Sequence, residues 1–164
     1  MTDWQYAFAL EQELEAAEEL LAARVLDELP EFKLTLEIGA GIEQEAVGLT
    51  AHQFSQLLQV AQQSESVAVV INYLRYQIGR SKSPDNQGWR YAEVGQILIQ
   101  HLNDLQRMAR NVAQKAVERT QGRTVAATPE QRDQAWIALA RLFLAMVWRS
   151  YMLRDNEQKR EAQA

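Results

Sequence analysis

The chain has 164 residues, with 17 Lys and Arg, 22 Asp and Glu, two His and no Cys, and its net charge is −5. Hydrophobic residues make up 47% of it, which is too apolar for a disordered chain, and the length favours a single domain over residues 1–164. The absence of Cys excludes disulfides and Cys nucleophiles and suits a reducing cytosol, so we expect a cytoplasmic protein. The longest membrane-like run, Leu142 to Trp148, is far shorter than the ~20 residues that a span needs, so no membrane partner is expected.

The N-terminal third predicts one helix and one irregular stretch. Apolar residues among good helix formers indicate a helix over 3–29, which Pro30 ends. Residues 31–48 alternate apolar and polar side chains before a group of glycines, and we interpret them as a loop or an edge strand. Thr50 begins the next helix, and Gln53 three residues later completes a capping box.

Two further helices are predicted in the middle of the chain. Ser64 caps a segment that runs to about Ile78, and Gly79 supplies a left-handed residue at its C-terminal end. The strongest helical periodicity follows, over Trp89–Gln121, with apolar residues every three or four positions.

The last helix has the clearest start in the chain. Thr128 is a capping residue and Pro129 occupies the first helical position. The pattern continues to about Asn156, and we expect 157–164 to be a frayed tail. The chain is therefore predicted to be all-α: an antiparallel bundle of about five helices with two long C-terminal helices.

The charge is divided along the chain. Residues 1–65 hold two basic and thirteen acidic residues, a net charge of −11, whereas 66–164 hold fifteen basic and nine acidic residues, a net charge of +6. Thirteen of the seventeen basic residues are Arg, whose planar fork holds phosphate or carboxylate in two-point contacts. Two interpretations stay open: an anionic partner for the basic part, or an acidic N-terminal segment that packs on it.

Catalytic and metal-binding patterns are missing from the sequence. There is no phosphate-binding Gly-Lys-Ser/Thr loop, and neither His52 nor His101 has the Glu that a di-iron bundle requires. We expect His101 to have a solvated or capping role and the glutamate-rich run at 11–19 to form a solvated helix face. No enzymatic activity, metal or cofactor is predicted.

Aromatic and basic residues alternate between positions 73 and 123. Such side chains can stack on bases while guanidinium groups hold phosphates. Tyr side chains that close the edge of the core, and a mixed solvated face on the long helix, are the alternatives. The predicted nucleic-acid contacts are Arg75, Tyr76, Arg80, Lys82, Arg90, Arg107 and Arg110.

The last helix is apolar on nearly all sides. Such a helix either lies centrally in the bundle or contacts another chain, and we favour a face that a partner fills. The predicted partner interface consists of Ile137, Arg141, Leu144, Trp148 and Met152.

The segment YLRYQIGR at 73–80, followed by a short loop, Trp89 and a long amphipathic helix, resembles the small helical subunits of type III CRISPR effector complexes. The similarity covers about residues 67–120. It implies a non-catalytic antiviral-defence subunit that stacks along the effector backbone and presents basic faces to the guide–target RNA. On this resemblance the RNA-backbone contacts are Arg75, Arg80, Lys82, Arg90, Arg107 and Arg110.

The leading hypothesis is therefore an assembly subunit with protein partners that contacts RNA or another single-stranded nucleic acid. The alternative is a protein-binding adaptor or regulator that acts as a homo-oligomer without nucleic acid.

Overall fold

The computed structural model describes residues 3–27, 49–80 and 88–164. Within these ranges the chain is an all-α bundle without strands, as predicted. A 3-10 turn over Gly88–Glu93 precedes the fourth helix. The helices are α1 (Asp3–Asp27), α2 (Ala51–Gln63), α3 (Val67–Arg80), α4 (Val94–Gln121) and α5 (Pro129–Gln163). The stretch 31–48 and Lys82 lie outside the described residues.

Two capping boxes confirm the predicted starts of α2 and α5. The Thr50 hydroxyl accepts a hydrogen bond from the Gln53 backbone N–H at 3.1 Å, and the Thr50 N–H donates to the Gln53 side chain at 2.9 Å. Thr128 and Gln131 make the same pair of bonds at 3.2 and 2.9 Å. Each box satisfies two backbone donors that a helix start leaves without intrahelical partners.

Four predicted boundaries differ from the structure. Ser64, expected to cap α3, is the C-cap of α2, and α3 begins at Val67. Gly79 does not adopt the predicted left-handed conformation. It is an exposed helical residue, and α3 continues through it to Arg80. The region from Trp89 begins as a 3-10 turn that ends in Glu93 with a φ of 59°, so α4 starts at Val94. At its other end, α5 continues to Gln163, past Asn156, because the tail consists of good helix formers without Gly or Pro.

The last helix, α5, contacts all four other helices. Its Pro129–Leu153 part is long and apolar enough to cross a membrane by length and hydropathy alone, unlike the seven-residue run noted in the sequence. In the bundle this part supplies fully buried core residues, among them Phe143 and Leu144. The core position of α5 therefore accounts for its apolar composition.

An aromatic cluster joins α2 to the C-terminal half of α5. The Phe54 ring lies 5.4 Å from the Trp148 ring and 6.1 Å from the Tyr151 ring, measured between centroids. The buried Trp89 ring packs on the same Phe54 at 5.7 Å. Tyr151 also donates its hydroxyl proton to the Leu49 carbonyl at 3.3 Å. This packing fixes α2 and the 3-10 turn on one side of α5.

The first helix, α1, packs against both α4 and α5. Its buried side chains are Tyr6, Ala9, Glu13, Ala17, Leu21 and Val25. Most are spaced by four residues, and the small Ala side chains allow close approach of the neighbouring helices. The Tyr6 hydroxyl donates to the Gln131 carbonyl on α5 at 3.2 Å. These contacts place α1 along the length of α4, which forms the groove described below.

Candidate functional site

One candidate surface lies near the C-terminal end of α3. The helix turns Val67, Val70, Ile71 and Leu74 into the core and leaves Arg75, Tyr76 and Arg80 exposed. The Arg80 guanidinium carbon lies 5.6 Å from the centroid of the Tyr76 ring, a cation–π distance. We call these three residues the α3 surface; it combines an exposed aromatic ring with two positive charges.

The two tyrosines of α3 have different roles. Tyr73 is half-buried and packs against the core, and desolvation raises the pKa of its hydroxyl, an effect that the positive charge of Arg80 opposes. Tyr76 has 62% of its surface exposed. The interpretation that Tyr rings close the edge of the core therefore describes Tyr73, whereas Tyr76 is available for contact.

Arg90 lies on an element that adjoins α3. It is exposed on the 3-10 turn, which contacts both α3 and α4. Gly95 in the first turn of α4 makes this contact close, since a Cβ there would lie 2.7 Å from the Ile78 Cδ1 atom. Arg90 is thus held on a rigid neighbour of the α3 surface.

Arg107 and Arg110 are both exposed on α4, but they line different hollows. Arg107 lines a hollow between α1 and α4, with Leu20 and Lys115. Arg110 lines another between α4 and the start of α5, beside Arg132. Residues three apart differ by about 60° around a helix, which is enough to face different neighbours when helices flank both sides. Arg107 and Arg110, both among the predicted nucleic-acid contacts, therefore do not line the same hollow.

The structure contradicts part of the predicted partner interface on α5, because the chain itself buries two of its five residues and partly covers the other three. Ile137 and Leu144 are buried, and Trp148 stacks on Phe54. Met152 is half-buried against the core. The alternative of a central helix is the one that the structure supports.

Arg141, the charged member of that face, bonds within the chain. Its Nε donates to the Ala61 carbonyl at 2.8 Å and its Nη2 to the Ser64 carbonyl at 2.6 Å. Both acceptors lie at the C-terminal end of α2, where carbonyls lack intrahelical partners and the helix dipole attracts a cation. Arg141 therefore anchors α2 to α5.

Opposite charges join α1 to α4. The buried carboxylate of Glu13 forms an ion pair with Arg119, and Gln12 accepts a hydrogen bond from the same guanidinium at 3.4 Å. Arg24 pairs with Asp104 at 3.5 Å. These contacts show that α1 and α4 run antiparallel. Part of the acidic N-terminal helix therefore packs on the basic long helix, while Glu11, Glu15, Glu18 and Glu19 remain exposed.

A row of exposed apolar side chains on α1 was missed in the sequence. Trp4, Phe8 and Leu20 expose 67%, 58% and 63% of their surfaces. The signal in the sequence was the i, i+4 series of Ala9, Ala17, Leu21 and Val25, which forms the buried side of α1 together with Tyr6 and Glu13 and leaves Trp4 and Phe8 outside it.

Among the described residues, no group of three His, Asp or Glu side chains is placed to hold a metal ion. His101, expected to have a solvated or capping role, is buried and stacks on Phe143 with ring centroids 5.8 Å apart. His101 lies on the side of α4 that faces α5. The periodicity of α4 did not show this, because it does not say which neighbouring helix packs there.

Two surfaces of the described chain combine exposed aromatic side chains with arginine: the α3 surface and the groove between α1 and α4. Comparisons of the chain with protein-family models, with curated proteins and with solved structures give no match. Function is therefore inferred from the chemistry of these two surfaces.

Proposed function

We propose that the chain is a non-catalytic, cytoplasmic helical subunit of a nucleoprotein assembly and that it binds the backbone of RNA or another single-stranded nucleic acid. The observation that carries this proposal is the exposed Tyr76 ring with the Arg80 guanidinium 5.6 Å from its centroid. The resemblance of 67–120 to small helical subunits of type III CRISPR effector complexes agrees with it, and implies protein subunits as further partners.

The chemistry of the α3 surface suits a single strand. A base can stack on the Tyr76 ring, and such stacking tolerates every base because each has a π-face. Arg75 and Arg80 supply charge for neighbouring phosphates, and α3 itself contains no acidic residue. Arg90 on the adjoining 3-10 turn extends the positive charge toward α4.

The α4 arginines contribute unequally to this proposal. Arg110 and Arg132 line the α4–α5 hollow together with Asp133, so the hollow keeps a net positive charge for a second contact with the backbone. Arg107 lies in the α1–α4 groove, next to the apolar Leu20, and we assign it to the groove instead.

A salt titration of RNA binding tests the proposal. Fluorescence anisotropy of a labelled 20-nucleotide poly(U) RNA measures the Kd of the wild type and of an Arg75→Gln/Arg80→Gln variant. We expect at least tenfold weaker binding at low salt. Loss of two phosphate contacts also lowers the slope of log Kd against log salt by about 1.4.

The matched control is Arg123→Gln/Arg160→Gln, which removes the same charge from exposed positions outside the proposed site. Tyr76→Ala separates stacking from charge, because loss of one stacked base costs about 1–3 kcal/mol and leaves the salt slope unchanged. The proposal fails if wild type does not bind at low salt, or if the α3 variant and the control bind equally.

The second candidate function is a protein-binding adaptor that acts as a homo-oligomer without nucleic acid. The exposed row Trp4, Phe8 and Leu20 favours it, because aligned apolar side chains are typical of protein interfaces. Size-exclusion chromatography with light scattering, with and without RNA, separates the two functions. A stable oligomer that ignores RNA supports the adaptor.

A further inference from the structure

A long groove runs between α1 and α4 on the side of the bundle that includes Arg107. Since Glu13 pairs with Arg119 and Arg24 pairs with Asp104, the two helices are antiparallel over most of α1. Two open hollows of about 430 and 320 Å³ follow one another along this contact, the first beside Trp4 and Phe8 and the second beside Leu20. From Trp4 to Arg24 the groove is about 30 Å long.

The α1 side of the groove is apolar. Trp4, Phe8, Ala16 and Leu20 are spaced by four or eight residues and all are exposed. One exposed apolar side chain on a helix is ordinary, but three large ones in a row that borders a concave surface are typical of an interaction site.

The α4 side of the groove is basic. Arg107 and Lys115 both line the second hollow, and Arg119 lies one turn further along α4 beside the first. Within the part of the chain that the structure describes, Arg107 and Lys115 have no ion-pair partner. The groove's own carboxylates, Glu13 and Asp104, are already paired with arginines. Two positive charges are therefore left to meet a ligand.

We propose that the groove binds an acidic amphipathic α-helix of a partner protein. A helix laid between two antiparallel helices packs its side chains into their groove, and about 30 Å accommodates roughly 20 helical residues. The partner's apolar side chains, in an i, i+4 and i+7 pattern repeated along its length, cover Trp4 and Phe8 at one end and Leu20 at the other. Its Asp or Glu side chains on one flank meet Arg107 and Lys115.

Charge and lining favour this partner over a nucleic acid. The exposed Glu11, Glu15 and Glu18 lie on the neighbouring side of α1, where they line a hollow shared with α5, and their negative charge disfavours a polyanion close to this helix. Val112 and Met108 at its base offer apolar contact but no hydrogen bonds to phosphates. A partner helix can carry its acidic residues on the flank that faces α4 only. It then keeps them away from the α1 glutamates and still contacts the apolar side chains of α1.

A designed peptide tests the groove in the full chain. The probe is a labelled 20-residue helix with Leu at the i, i+4 and i+7 positions and Glu on one flank. Matched peptides carry Lys in place of those Glu residues, or a scrambled Leu pattern. Fluorescence anisotropy at moderate salt measures each Kd. We expect the acidic peptide to bind at least tenfold more tightly than either matched peptide.

Charge reversal in the protein gives the sharper result. Arg107→Glu/Lys115→Glu weakens the acidic peptide at least tenfold and strengthens the Lys peptide, whereas Arg123→Glu/Arg160→Glu, with the same change of charge, alters neither. Leu20→Ala weakens the binding of both peptides, and the acidic peptide remains the tighter binder. Circular dichroism and thermal melting of each variant establish that the fold is retained.

Three outcomes overturn the proposal: equal binding of the acidic and Lys peptides, competition of poly(U) RNA for the acidic peptide at the groove, or a dimer in light scattering that Leu20→Asp disrupts. The second outcome identifies a nucleic acid as the occupant, and the third identifies a second copy of the chain. Because Arg75 and Arg80 lie outside the groove, the peptide result and the RNA titration succeed or fail independently.

Discussion

The α5 face predicted as a partner interface and the exposed row on α1 are both apolar helix surfaces, yet the chain covers only the first. On α5, Ile137 and Leu144 are buried, and Trp148 stacks on Phe54 of α2. On α1, no described residue of the chain covers Trp4 or Phe8. The sequence favoured a partner on α5, and the structure moves the open apolar surface to α1.

The difference shows what covers an apolar helix face. The α5 face includes Arg141, which the sequence analysis assigned to a partner interface, but its guanidinium donates hydrogen bonds to carbonyls at the C-terminal end of α2. An internal helix terminus thus substitutes for a partner's anion. The α1 row borders Arg107 and Lys115, which have no such internal acceptor among the described residues.

The largest expected difference in the free energy of unfolding is between two Leu→Ala substitutions, one on the covered α5 face and one on the exposed α1 row. Leu144→Ala leaves a cavity in the core and lowers the free energy of unfolding by about 2–5 kcal/mol. Leu20→Ala truncates a side chain that is 63% exposed and changes it by no more than about 0.5 kcal/mol. Urea denaturation of both variants measures the contrast. Equal losses would mean that α1 is covered in solution.

Arg141→Met is expected to rank next, because it removes both hydrogen bonds to the C-terminal carbonyls of α2. Two lost charge-assisted bonds lower the free energy of unfolding by about 1–3 kcal/mol. Arg132→Met, at an exposed position of the same helix, is the control. If both substitutions cost the same, the contact of Arg141 with α2 does not stabilise the closed face.

A smaller effect is expected where α1 meets α4. Arg119→Met leaves the buried Glu13 carboxylate without its cation, and because Arg119 is half-exposed we expect a loss of only about 1 kcal/mol. Adding Glu13→Gln removes the uncompensated charge and recovers part of that loss. A double-mutant cycle measures this coupling. Strict additivity of the two changes would contradict a direct ion pair.

The smallest effect appears only at high pH. Burial raises the pKa of Tyr6 from its ordinary value of 10.0 to about 12. Between these values the unfolded chain loses the proton while the folded chain keeps it, so the free energy of unfolding falls as pH rises. We expect Tyr6→Phe to flatten this fall in urea titrations at pH 9–12.

Local patterns predicted the helices well because their signals lie within a few residues. Thr50 with Gln53, and Thr128 with Gln131, satisfy backbone donors at the start of their own helices, so neither start needs a tertiary contact. The boundary at Trp89 was wrong for the opposite reason. Its ring packs on Phe54, 35 positions earlier, and the backbone forms a 3-10 turn before α4.

The candidate site could be predicted only in part. Arg75, Tyr76 and Arg80 follow from the periodicity of α3, since its apolar stripe leaves them on the outside. The groove could not be found in this way, because its two sides come from helices that are separated by 66 residues in the chain, α1 ending at Asp27 and α4 beginning at Val94.

The sequence by itself determined the all-α class, the helix starts with capping boxes and the composition of each helix face, because these depend on spacing along one chain segment. Only the tertiary structure decided which faces are covered. Leu144 and Leu20 are both leucines on amphipathic helices, and what separates them is whether another helix lies against them. That depends on the packing of α1 and α2 around α4 and α5, through contacts such as Glu13–Arg119 and Arg141 with α2.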